Sequence, residues 1–137
     1  MNLDTYDLPD SYRAYMATRD PAVDAYYTFR ERKRPQKDIR TYCLWPLRTL
    51  EEKQPVIRTP LYQEYWVQRQ QAKHLRSKTA FAFGHATDGD GILFFHPENH
   101  GVWEIATNDS ARLLAATFAD FFERAVFDRE VDLRNFF

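Results

Sequence analysis

Apolar and polar positions alternate along the chain with periods that change from segment to segment. From Leu8 to Met16 the residues Leu8, Tyr12, Tyr15 and Met16 recur at i, i+4, i+7 and i+8, one face of a helix. Pro9 suits its first helical position, where the missing N–H costs nothing, and Asp20-Pro21 ends it. Ala25 to Phe29 and Ile39 to Trp45 are aromatic and β-branched, so each predicts a strand. Leu47 to Lys53 predicts one or two helical turns. Thr59-Pro60 then reads as a cap and first-turn proline for a helix carrying Leu61, Tyr65 and Trp66 on one face and ending near Leu75. Thr79 to Gly84, Ile92 to His96 and Val102 to Thr107 predict three consecutive strands. The connections His85 to Gly91 and Pro97 to Gly101 are short enough for antiparallel hairpins. Ile92 to Phe95 is apolar at every position, the mark of a strand covered on both faces. The strongest periodicity comes last: Thr117 as cap, Asp120 three residues on, then Phe118, Phe121, Phe122, Ala125 and Val126 on one helical face. Val131, Leu133, Phe136 and Phe137 in the tail 128–137 can dock on the same domain or on a second subunit.

A meander with helices packed at its start, middle and end is an α+β architecture, and 137 residues make one domain, 1–137. Aromatic residues supply 16% of the chain, enough to build a sizeable core without disulfides. The single cysteine, Cys43, excludes a disulfide framework. It sits in the apolar run Tyr42-Cys43-Leu44-Trp45, where burial makes a thiol unreactive. No signal peptide or membrane-spanning run is visible, so a cytoplasmic location without membrane contact is expected.

Net charge is −1, yet the charges are segregated. Gly84 to Asp109 holds five acids (Asp88, Asp90, Glu98, Glu104, Asp109) and no Lys or Arg. Arg30 to Arg40 has six bases against two acids, and Arg58 to Lys78 five against one. The acids suit a basic partner surface, where complementary fields speed encounter. They equally suit solvated turns, which Asp-Gly pairs favour by backbone conformation alone. Glu104, at a strand position, can point to either side.

Other chemistries are narrower. His85, His96 and His100 with Asp88 and Asp90 would hold a metal if the turns converged, as in a small metal-dependent hydrolase or nuclease. Asp88-Gly89-Asp90-Gly91 lacks the closing Glu of an EF-hand, since Asn99 stands twelfth, and it reads as a turn. Arg30 to Arg40, with Tyr26, Tyr27, Phe29 and Tyr42 nearby, has the composition of a single-strand nucleic-acid surface, but also that of a charged hairpin loop flanked by core aromatics. Ser11, Ser77 and Ser110 lack a nucleophile context, and His74 reads as an exposed helical residue.

Four pieces stand in order: Leu8-Pro9-Asp10-Ser11-Tyr12; Phe83-Gly84 before Asp88-Gly89-Asp90-Gly91-Ile92-Leu93-Phe94-Phe95; Gly101-Val102-Trp103-Glu104; and Thr117-Phe118-Ala119-Asp120-Phe121-Phe122. The series resembles the SUKH superfamily across Leu8 to Val126. It departs in having seven residues ahead of Leu8, where the family usually has a helix, and Thr18-Arg19-Asp20-Pro21 where Asn-Gly-Gly is common. The resemblance implies a SUKH-like α+β domain that binds protein, in bacteria most often an immunity protein neutralising a toxin. It implies no shared catalytic motif, no metal and no cofactor. Partner contacts are expected at Asp88, Asp90, Glu98, Glu104 and Asp109, with nucleic acid the less favoured partner. Nothing in the sequence sets the oligomeric state.

Overall fold

The computed structural model describes residues 1–30, 39–57, 81–106 and 111–136. A short 3-10 turn (Leu3–Thr5) precedes helix α1 (Asp10–Ala17). Strands β1 (Val23–Arg30) and β2 (Ile39–Leu44) lead to helix α2 (Leu47–Ile57). Strands β3 (Phe81–Ala86), β4 (Ile92–Phe95), β5 (Val102–Ile105) and β6 (Arg112–Ala115) follow. Helix α3 (Phe118–Arg124), strand β7 (Ala125–Asp132) and a 3-10 turn (Leu133–Phe136) complete the order. The helix expected after Thr59-Pro60, with His74 on it, lies outside the described residues.

All pairings are antiparallel, in one curled sheet of order β6-β5-β4-β3-β2-β1-β7. The expected α+β meander is therefore what this chain forms. Helices α1 and α3 pack on one face. Tyr12 of α1 meets Phe83, Phe95 and Phe118 edge-on, with ring centroids 5.5, 5.0 and 5.2 Å away. Phe29 stacks on Phe121 at 4.7 Å, and Phe83 on Phe95 at 4.2 Å. Edge-on and offset rings are the favoured aromatic geometries, so this cluster gains more than its buried area alone supplies. The fully apolar strand β4 is buried at every residue, as its composition predicts.

Helix α2 lies on the opposite face and is pinned by one side chain. Gln54, 4% exposed, donates from Nε2 to the Ala82 carbonyl and accepts the Ala82 N–H at 3.3 Å. Both polar ends of a buried amide are thereby satisfied, at a site where a loss would be costly.

Several boundaries differ from the sequence expectation for physical reasons. Pro9 is extended (φ −61°, ψ 141°) and caps α1 rather than opening it. Thr117 caps α3 as expected, accepting the Asp120 N–H at 3.0 Å. The helix nevertheless stops at Arg124, and Ala125 and Val126 begin β7 instead of extending the helical face. Val126, Phe127 and Val131 favour a strand, and β1 offers an edge whose N–H and C=O groups need partners. The tail thus docks on its own domain. Strand β6, which sequence reading did not predict, is four residues long and pairs with β5 across a register shift. Too short for a periodicity, it carries no pattern of its own.

Candidate functional site

The hairpin turns place the acidic residues in three separate settings. Asp88 and Asp90 are exposed in the β3–β4 turn. Glu98 is exposed in the β4–β5 turn, at the opposite end of β4, where its N–H donates to His96 Nδ1 at 3.2 Å. Glu104 is buried, 3% exposed, on β5. Asp109 lies outside the described residues.

Glu104 is the hub of an internal charge network. Its Oε1 accepts from Arg40 Nη1 (2.7 Å), the Tyr42 hydroxyl (2.9 Å) and Arg112 Nη2 (3.2 Å). The other guanidinium nitrogen of Arg40 reaches the Asp88 carboxylate at 3.1 Å. Oε2 is buried without a hydrogen-bond partner. It lies against Gly91, where any Cβ would overlap it. The glycine is therefore needed for close approach: a bare backbone lets a β5 carboxylate reach across β4 and β3 to β2. As a surface charge Glu104 is unavailable; it acts by bracing Arg40, which in turn holds Asp88. Burial, with the neighbouring Glu104 charge, pushes the Tyr42 hydroxyl well above its ordinary pKa, so it stays a donor.

On the α2 face a cavity of about 380 Å³ opens between helix and sheet. Thr49, Lys53 and Val56 of α2 form one wall, spaced i, i+4 and i+7 so that they share a face. Asp24, Trp45, His85 and Ile92 of the sheet and Gly89 and Asp90 of the turn supply the rest. Trp45 donates its indole N–H to His85 Nδ1 at 2.7 Å. That bond places the proton of neutral His85 on Nε2. Burial, and secondarily the Lys53 charge, lowers the His85 pKa, so the ring is neutral at pH 7. Asp24 is half-buried and makes no ion pair among the described residues. Its Oδ1 is screened from solvent without a hydrogen-bond partner. Burial raises the Asp24 pKa. Cys43 itself is fully buried, and desolvation pushes its thiol far up, as its apolar run predicts.

The histidines do not gather. His85 lies on the α2 face, whereas His96 follows the far end of β4 beside Trp103, with ring centroids 5.6 Å apart. His100 holds a left-handed backbone (φ 59°) in the next turn, with Nε2 3.2 Å from the Asp7 carboxylate. No group of three His, Cys, Asp or Glu side chains suited to a metal occurs among the described residues. Of the aromatics placed beside the basic loop, Tyr27, Phe29 and Tyr42 are buried, and only Tyr26 is partly accessible. Arg40, counted with that loop, turns inward to Glu104. Residues 31–38 and 58–80 lie outside the described residues.

Sequence reading missed Asp24 and Trp45 as members of a site. A signal was present: Asp24, Tyr26 and Thr28 put a polar stripe, led by a carboxylate, on one face of an otherwise apolar strand.

One curled antiparallel sheet, with helices on both faces and its acidic residues divided between exposed turns and a buried network, defines an α+β domain of the SUKH type. The chain belongs to the SMI1 / KNR4 family (SUKH-1), whose family model matches residues 4–124. The resemblance carried by the four motifs is thereby established. No curated protein and no solved structure matches the chain significantly. Among the described residues no helix is long and apolar enough to cross a membrane.

Proposed function

We propose that the protein works in the cytoplasm by binding another protein, as the immunity partner that neutralises a bacterial toxin, without catalysis or cofactor. The observation that carries this reading is SUKH-1 membership over residues 4–124. The geometry supports it through Asp88. Its carboxylate projects from a turn yet is held by Arg40, and Arg40 by buried Glu104. A charge fixed in advance loses little freedom when a partner cation arrives. Asp88 and Asp90 form the first contact, with Asp109 and Glu98 as further ones. Glu104 stands behind Asp88 rather than in the interface. The competing reading, a metal-dependent hydrolase, finds no ligand set assembled among the described residues.

The test is direct. The product of the adjacent coding region is purified and titrated calorimetrically, and its toxicity is measured with and without this protein. A one-to-one complex that suppresses toxicity is expected. The double variant Asp88→Lys/Asp90→Lys should bind more slowly and lose much of the salt dependence. A neighbouring product that neither binds nor is suppressed, together with capture of housekeeping proteins alone from the native cell, overturns the proposal.

A further inference from the structure

Asp24 puts a negative charge in the wall of the cavity under α2, and Lys53 a positive one at its rim. His85 adds none, being neutral with its Nδ1 committed to Trp45. Asp24 is the unusual member: a half-buried carboxylate with no cation beside it among the described residues. A carboxylate withdrawn from water without a counter-charge destabilises a fold. The residues around it are otherwise ordinary packing. Trp45 and Ile92 form an apolar floor and Val56 an apolar rim, suited to the methylene stem of a long side chain. A cation entering along that stem would meet a carboxylate at the inner end and an indole ring beneath it.

We propose that this cavity receives the guanidinium or ammonium of a basic side chain projected by the partner protein. The inference rests on the protein-binding reading above and specifies one anchor of that contact. Lys53 is exposed at the rim and opposes the incoming charge, which makes it the diagnostic position.

The probe is the peptide acetyl-Gly-Arg-Gly-amide, with acetyl-Gly-Glu-Gly-amide as its acidic counterpart. Binding is followed by NMR at the Trp45 indole N–H, with the remaining amide signals reporting that each variant is folded. The arginine peptide should shift the Trp45 signal saturably, and the glutamate peptide should not. Asp24→Asn should weaken binding about tenfold, the loss of one charge-assisted contact. Lys53→Glu should strengthen it. Absence of a saturable shift with the arginine peptide overturns the inference, as does preference for the acidic peptide with loss of binding in Lys53→Glu. If the arginine peptide fails while the neighbouring toxin still binds, only the cavity assignment falls. If the peptide binds and no toxin does, the immunity reading falls and the cavity stands.

Discussion

On the α1/α3 face of the sheet the buried charge is answered. Glu104 is buried, but two arginines and a tyrosine converge on it. On the α2 face a less buried carboxylate, Asp24, stands without a cation beside an open cavity. The more deeply buried acid is the better compensated one, although burial alone predicts that the deeper charge is the costlier. The difference separates two uses of an ionised group. Glu104 ties β2, β5 and β6 together and keeps Asp88 in place. Asp24 makes no such ties among the described residues, as the anchoring role proposed for it requires.

The largest test of this contrast removes the shared background. Phe118→Ala or Phe83→Ala should cost about 4 kcal/mol in denaturant unfolding, since each ring is buried among several others. Glu104→Gln should cost about 3 kcal/mol, because it takes the charge from between Arg40 and Arg112. Gly91→Ala should cost about 2 kcal/mol by driving a methyl group into the same carboxylate. If Glu104→Gln is neutral, the α1/α3 face is not organised by that network. Thr117→Ala, which removes the α3 cap, should cost about 1 kcal/mol on the same assay.

The smallest effect has the opposite sign. Asp24→Asn should leave the protein at least as stable as wild type at pH 7. The folded-state pKa of Asp24 is raised by burial above its unfolded value of 3.8, so the folded chain holds the proton more tightly. The destabilisation is absent below 3.8, develops as pH rises through the folded pKa, and is complete above it. The gain from Asn should therefore vanish in acid. His85 behaves conversely: its folded pKa is lowered from 6.5, so wild type should lose stability as pH falls below that value, and His85→Gln should flatten the loss. Thermal melts from pH 3 to 8 on both variants check the two signs, and a strongly destabilised Asp24→Asn at pH 7 would place Asp24 with the structural charges.

Much of the fold was legible because the motifs are core contacts. Tyr12, Phe83, Phe95 and Phe118 belong to three of the four pieces that resemble the family, and their rings touch. A pattern fixed by packing reports architecture. For the same reason it is silent on what the surface does. Helix α3 was readable from its cap and apolar spacing, but its end was not, because positions 125 and 126 satisfy a helical period as well as a strand. Only the free edge of β1 decides between them. The acidic residues were visible as a stretch, but sequence distance does not say that Glu98 faces the other end of β4 or that Glu104 turns inward over a glycine. The cavity was illegible because its walls come from β1, the residue after β2, α2, β3, β4 and a turn, brought together only by the pairing of the sheet.

Strand β7 pairs with β1 along its length, from Phe29 opposite Ala125 to Val23 opposite Asp132. During vectorial synthesis β1 emerges long before its final neighbour, β7. Until then β1 waits on the ribosome with one side unzipped, a sticky border for other nascent chains. A stop codon after Arg124 would make that waiting state permanent, so such a truncation is expected to form clumps in the cell even though every residue of the family match is present.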